Sequence, residues 1–81
     1  MNDVELAATV RSAISLHRQQ GRIPTEVLLS QEHWNTLRRH LIFGSYGARQ
    51  TVQFDGIPCV LIVGMRNSAG FKVRGIDPPQ D

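Results

Sequence analysis

The fold is decided by residues 51–63, which read TVQFDGIPCVLIV. Residues 51–54 alternate between polar and apolar side chains, as in a half-buried strand. Asp55-Gly56 is among the strongest short hairpin signals, because such a turn needs positive φ at both positions. The returning segment 57–63 is almost entirely apolar, which predicts a central strand with both faces covered. Pro58 has no backbone N–H, so it fits this strand only at a position that donates no hydrogen bond to a neighbouring strand.

Two amphipathic helices precede this hairpin. The first is predicted over residues 3–19, because Asn2 and Glu5 have the spacing of a capping box and Gly21 is a natural stop. The second is predicted over residues 31–42, with Ser30 as its N-cap. Its apolar face is formed by residues at helical spacing, namely Trp34, Leu37 and Leu41. A short strand over residues 26–29 lies between the two helices.

The remaining segments complete a single domain. Residues 44–47 are glycine-rich and are predicted to form a loop, and residues 64–70 a further turn. Residues 71–74 alternate, which predicts a last strand with Phe71 and Val73 inward. We therefore expect an α+β domain over residues 1–76, in the order α-β-α-β-β-β, with two helices on one face of a mainly antiparallel sheet of three to four strands. Residues 77–81 are expected to form a flexible tail.

Composition sets limits on the class of protein. The chain has 81 residues, of which 41% are hydrophobic, so it should bury one thin core. A single cysteine excludes an internal disulfide, and small domains often gain stability from a partner subunit instead, so we expect a homo-oligomer. The longest apolar run is far shorter than the ~20 residues of a membrane span. With no signal-peptide pattern at its start, the protein is expected to be cytoplasmic and to need no membrane.

Residues with catalytic or metal-binding chemistry do not form a recognisable set. His33 and His40 are seven apart, which is too far along a helix for one zinc ion. Cys59 lies among apolar residues, where a thiol is usually a small buried hydrophobe with a raised pKa. The carboxylates are spread over caps, turns and the tail. We therefore predict no enzymatic activity, no cofactor and no metal.

Nucleic-acid binding is the functional alternative that the charges suggest. The net charge is only +2, but eight of the nine cations are arginine, a residue suited to phosphate contacts. Residues that could form such a surface combine cations with an aromatic side chain that can stack on bases: Arg38, Arg39, Tyr46, Arg49, Lys72 and Arg74. The structural alternative is a solvated helix face together with cations that discourage pairing at a sheet edge.

The order of motifs from Pro24 onward resembles part of the major capsid proteins of tailed bacteriophages. The similarity covers about half to two-thirds of the chain, although such capsid subunits are several times longer and their extended arm and peripheral domain have no counterpart here. The matching motifs are an extended apolar stretch, an aromatic near a helix start, a Gly-x-Pro strand and a short closing strand: residues 27–30, Trp34 with Leu37, residues 55–60 and residues 70–73. The resemblance implies a phage or prophage protein that works by contacts, in the host cytoplasm or the virion. It nominates no functional residues.

Together these observations predict a non-enzymatic protein–protein interaction module that associates with itself or with another protein. The expected contact surface is one of two segments. One is the strand edge around residues 71–75, and the other is the segment 43–50, which carries Phe43 and Tyr46.

Overall fold

Two α-helices, a short 3₁₀ turn and five strands make up the part of the chain that the computed structural model describes, residues 2–64 and 70–78. In chain order they are α1 (Asp3–Gln19), β1 (Ile23–Leu29), α2 (Gln31–Leu37), the 3₁₀ turn (Arg38–His40), β2 (Ile42–Tyr46), β3 (Arg49–Phe54), β4 (Ile57–Leu61) and β5 (Phe71–Ile76). The α+β class with two helices is confirmed. Residues 65–69 of the expected turn and 79–81 of the expected tail lie outside the described residues.

The strands form one mixed sheet in the order β2-β3-β4-β1-β5. β1 and β4 pair in parallel, and the other neighbours are antiparallel. The sheet is thus mainly antiparallel, as predicted, but it has five strands instead of three to four. The strand that the prediction lacks is β2, so the order of elements is α-β-α-β-β-β-β.

Local signals account for the start of α1 and for the β3–β4 turn. The Asn2 side-chain oxygen accepts a hydrogen bond from the backbone N–H of Glu5 at 2.8 Å, which satisfies one of the free donors at the helix start. Asp55 and Gly56 have φ values of 52° and 80°, as the predicted two-residue hairpin turn requires. Pro58 pairs with Gln53 just after this turn, and the parallel ladder to β1 begins only at Cys59.

One apolar core lies between the helices and the inner face of the sheet. The residues that form it come from both helices, from four strands and from the segment before β2: Leu6, Ala7, Val10, Ile14, Val27, Leu29, Leu37, Leu41, Phe54, Ile57 and Val73. Phe71 packs against its margin, so the inward orientation predicted for Phe71 and Val73 is confirmed. The prediction that β4 has both faces covered is wrong. β4 is an interior strand, but Val60 on its other face is 37% exposed.

The second helix is shorter than predicted. The α-helix ends at Leu37, the 3₁₀ turn follows, and the chain is extended from Leu41 onward. Leu41 still reaches the core, so the apolar spacing that suggested a helix to residue 42 is satisfied by another backbone path. Pairing of Ile42 with Gln53 favours the extended conformation, because tertiary contacts override a weak local preference.

The predicted loop over residues 44–47 is also wrong, because most of it is strand. β2 and β3 pair from Ile42↔Gln53 to Tyr46↔Arg49, and only Gly47 and Ala48 form the turn. Gly47 has φ 63°, which lets a two-residue turn reverse the chain. Glycine is unfavourable within a strand, so Gly44 weakens the strand pattern of residues 42–46. The sequence therefore does not predict this hairpin.

Candidate interaction surface

Strand alternation divides the sheet into an inner and an outer face. Val27, Cys59 and Val73 stand in one row across three strands and face the helices. The adjacent row, Leu28, Val60 and Lys72, therefore faces away from them. Both helices contribute to the core on the inner side, and no described element packs over the outer row. Within the described residues the outer face thus has no second layer, although Leu28 itself is only 8% exposed.

The outer face is apolar in its middle and carries cations at both ends, with Arg49 on β3 at one of them. Leu28, Pro58 and Val60 occupy neighbouring positions on β1 and β4, and Ile42 on β2 is 64% exposed. At the other end β5 presents Lys72 and Arg74. An apolar centre with a charged margin is the composition of many protein–protein contact surfaces.

The β2–β3 hairpin extends beyond the rest of the sheet. β3 pairs with β4 only at Gln53↔Pro58 and Phe54↔Ile57, and beyond these pairs the two strands separate. A cavity of about 280 Å³ opens between them, lined by residues 49–53, Pro58 and Cys59. Phe43, on the helix side of the hairpin, is 53% exposed, so both faces of this arm carry exposed apolar side chains. We call residues 42–51 the hairpin arm.

The opposite edge of the sheet, β5, is occupied by polar contacts of the chain itself. The Arg74 guanidinium lies 3.2 Å from the Glu26 carboxylate, and Arg22 donates a hydrogen bond of 2.8 Å to the backbone oxygen of Gly75. A polar groove of about 470 Å³ runs along this edge, lined by His17, Arg22, Thr25, Glu26 and residues 72–76. Atoms Nδ1 of His17 and Nε of Arg22 are buried there without a hydrogen-bond partner, although Arg22 Nε lies 3.6 Å from Asp77.

The arginines proposed for nucleic-acid binding do not form one cluster. Arg38 and Arg39 lie in the 3₁₀ turn, and Arg39 is 3.9 Å from Asp3 at the start of α1. Arg49 lies on β3 and Arg74 on β5. Strands β4 and β1 lie between them, so β3 and β5 are roughly 14 Å apart at the usual spacing between strands. Arg49, Lys72 and Arg74 do share the outer face by alternation, at its two ends.

The two aromatic residues proposed for protein contacts lie on the same strand. Phe43 and Tyr46 both belong to β2, an edge strand and not a loop. The Phe43 ring meets the Trp34 ring edge-on at 6.4 Å, so one side of Phe43 rests on α2 while the other stays exposed. The side chain of Tyr46 lies outside what the structure describes. The sequence-based surface did not include Ile42, because the predicted helix extended to residue 42.

Among the described residues, two titratable groups, Asp3 and Cys59, have pKa values shifted from the ordinary ones. A hydrogen bond of 3.0 Å from His40, aided by the charge of Arg39, lowers the pKa of Asp3. This contact ties the end of the 3₁₀ turn to the first turn of α1. Burial raises the pKa of Cys59 to about 11, so its thiol is protonated at neutral pH and is a poor nucleophile.

The Ser30–His33 pair has a local structural role, whereas Arg11 on α1 lies 2.9 Å from Asp55 in the β3–β4 turn. Ser30 Oγ accepts from the backbone N–H of His33 and also lies 3.0 Å from His33 Nδ1, which is the geometry of an N-cap at the start of α2. Within residues 2–64 and 70–78, no group of three or more histidine, cysteine, aspartate or glutamate side chains could hold a metal ion.

Comparison with protein-family models, curated proteins and solved structures finds no match in any of the three. Within the described residues, no helix combines the length and the apolar composition needed to cross a membrane.

Proposed function

We propose that the chain is a non-enzymatic protein–protein interaction module that associates with itself. One observation carries the proposal: both helices lie on one face of the sheet, which leaves the outer face and the hairpin arm exposed with apolar side chains. Ile42 is 64% exposed, Phe43 53% and Val60 37%. Removing such surface from water is favourable at about 25 cal/mol per Å², so a second protein surface that covers it would stabilise the complex.

The size of the domain supports the same proposal. An isolated two-stranded hairpin is at best marginally stable in water, and β3 is joined to β4 by only two residue pairs, at the base of the hairpin arm. A partner that packs against the arm would supply the contacts that β4 does not. The resemblance to capsid proteins adds an expected setting, a structural or accessory protein of a phage or prophage, in the host cytoplasm or the virion.

Nucleic-acid binding remains the second candidate, because Arg49, Lys72 and Arg74 share the outer face. A strand of nucleic acid lying across the sheet would meet cations at both ends. The Arg74–Glu26 pair weighs against this candidate, since binding phosphate would have to compete with an ion pair of 3.2 Å. The dispersal of Arg38 and Arg39 to the helical side leaves few cations on any one path.

Light scattering coupled to size-exclusion chromatography tests the two candidates in one experiment. The pure chain is run over the micromolar range, alone and with mixed single- and double-stranded DNA, at low and at high salt. The interaction module predicts a dimer or a larger assembly whose mass does not depend on DNA. A chain that stays monomeric over the whole range would contradict the proposed self-association.

The variant Lys72→Ala with Arg49→Ala separates the candidates further. Binding to phosphates must weaken as salt rises and must weaken again when these two cations are removed. Self-association through apolar side chains should survive both changes. A DNA complex that dissolves at high salt and is lost in the double variant would favour the nucleic-acid function over the interaction module.

A further inference from the structure

We infer that two copies of the chain pair through the edge of β2, antiparallel to each other, about a two-fold axis at Gly44. The inference rests on the proposed self-association and specifies where it occurs. In this arrangement the two hairpin arms join into one four-stranded sheet in the order β3-β2-β2-β3. The partner is therefore a second copy of this chain, and the contact is made first by backbone hydrogen bonds.

The two edges of the sheet differ in charge, and the difference selects β2. Strand β2 carries no charged residue between Ile42 and Tyr46. Strand β5 presents Lys72 and Arg74 on one face, so an antiparallel pair of β5 strands centred at residue 72, 73 or 74 would place cations of the two copies opposite each other. Like charges directly across a strand pair are destabilising. The edge of β5 is thus protected against pairing, and that of β2 is open.

Hydrogen-bond alternation in the arm determines which backbone groups of β2 are free. Tyr46 and Arg49 close the two-residue turn, so they form a hydrogen-bonded pair. Pairs alternate along an antiparallel ladder, which makes Phe43↔Val52 and Ser45↔Gln50 the pairs without mutual hydrogen bonds. The N–H and C=O groups of Phe43 and Ser45 consequently point away from β3, toward the open edge.

A two-fold axis at Gly44 matches these free groups to one another. Phe43 of one copy lies opposite Ser45 of the other, and each such pair exchanges two backbone hydrogen bonds. Gly44 then faces Gly44 of the second copy in a pair without hydrogen bonds, where the Cα atoms approach to about 4.5 Å. Side chains come closest in such pairs, and glycine leaves the crossing point free.

Apolar side chains flank this crossing on both faces of the joined sheet. Phe43, held on one side by Trp34, lies on the helix face, and Ile42 lies on the outer face. Pairing brings the exposed apolar surface of the two arms together on each face. In this register the two Phe43 residues are diagonal neighbours on the helix face, and Ile42 of each copy stands opposite position 46 of the other on the outer face.

The variant Ser45→Pro tests the backbone contact. Proline removes the N–H that points to the open edge, and proline is tolerated at such a position in the free hairpin. We expect the dimer Kd to rise about tenfold or more, because each chain loses one interface donor. The matched control is Ser45→Ala, which shortens the same side chain but keeps this N–H, and it should leave the Kd unchanged. Circular dichroism checks that both variants fold.

A disulfide tests the register independently of stability. In a Cys59→Ala background, Gly44→Cys places two thiols at the axis, within the Cα distances that a disulfide accepts. Thr51→Ala is added, because a Cβ at position 44 would lie 3.2 Å from Thr51 Oγ1. Mild oxidation should yield a covalent dimer. The control chain, with Lys72→Cys in the same background, should stay monomeric on a denaturing gel.

The outcomes separate this inference from the proposed function. Cross-linking at position 44 together with weaker association of Ser45→Pro supports pairing through β2. A dimer that ignores Ser45→Pro, or that cross-links at position 72 and not at 44, overturns pairing through β2 while self-association stands. A wild-type chain that is monomeric at all micromolar concentrations overturns both.

Discussion

The same substitution on the two faces of the sheet separates their roles. Val27 on β1 is completely buried among apolar core residues, whereas Val60 on the neighbouring strand β4 is 37% exposed on the outer face. Val→Thr conserves shape and exchanges one methyl group for a hydroxyl. The two variants, Val27→Thr and Val60→Thr, thus compare the environments and hold the chemical change constant.

The magnitudes follow from the surroundings of each side chain. A hydroxyl at position 27 loses its water and meets only apolar neighbours, so Val27→Thr should lower the free energy of unfolding by about 1–3 kcal/mol. A hydroxyl at position 60 keeps access to water, so Val60→Thr should change it by no more than about 0.5 kcal/mol. For a domain of this size, each kcal/mol corresponds to a Tm shift of roughly 4–8 °C.

Urea denaturation measures both variants against the wild type at one low protein concentration. The midpoint should fall for Val27→Thr and stay in place for Val60→Thr, with equal slopes for all three chains. Equal losses in the two variants, or a larger loss for Val60→Thr, would refute the assignment of inner and outer faces.

Three further predictions concern single residues. Because the pKa of Cys59 is raised to about 11, the folded chain at pH 8 should react with iodoacetamide about 100-fold more slowly than the urea-unfolded chain. Mass spectrometry measures the two rates, and equal rates would contradict the raised pKa. Gly70→Ala should destabilise the fold well beyond the roughly 1–2 kcal/mol expected for Gly56→Ala, since both have positive φ but only a Cβ at position 70 would collide with the His33 ring; thermal melts showing equal losses would exclude that contact. Because the pKa of Asp3 is lowered in the folded chain, the unfolded chain binds more protons in acid. The stability that Asp3 contributes is therefore present above about pH 4 and is lost as the pH falls through the folded pKa. Asp3→Asn should remove this part of the pH dependence in urea titrations, and an unchanged pH profile would contradict the contribution of Asp3.

Local chemistry made much of the fold predictable from sequence. The Asn2 cap, the Asp55-Gly56 turn and the inward alternation of Phe71 and Val73 depend on a few adjacent residues, and all three are present in the structure. The apolar neighbours of Cys59 predicted burial, and the side chain is partly buried against the core.

The β2–β3 hairpin could not be predicted, because its formation depends on distant residues. Ile42 fits the end of a helical pattern equally well, and Gly44 is disfavoured in strands, so local preference points away from the observed structure. Pairing with Gln53 and burial of Leu41 decide the outcome. The covering of β4 was mispredicted for a related reason: an apolar run indicates a central strand but does not reveal how many layers pack on it.

The candidate surface was identified in part. Both segments named from sequence include an edge strand of the sheet, since residues 43–46 of the segment 43–50 lie on β2 and residues 71–75 lie on β5, while residues 49 and 50 lie on the interior strand β3. The arginine cluster did not form, because strand order determines how far apart Arg49 and Arg74 lie, and strand order cannot be read from spacing in the chain. To distinguish the protected edge of β5 from the open edge of β2, one must know which residues pair between the strands.

Sedimentation velocity of the unmodified chain and of Ser45→Pro, over the micromolar range at physiological salt, measures self-association through β2. We predict that the wild type shifts with concentration from the 9.1 kDa monomer to a dimer, and that Ser45→Pro requires about tenfold or more higher concentration for the same shift. A wild type that sediments as a monomer at every concentration would contradict the account of this chain as a self-associating interaction module.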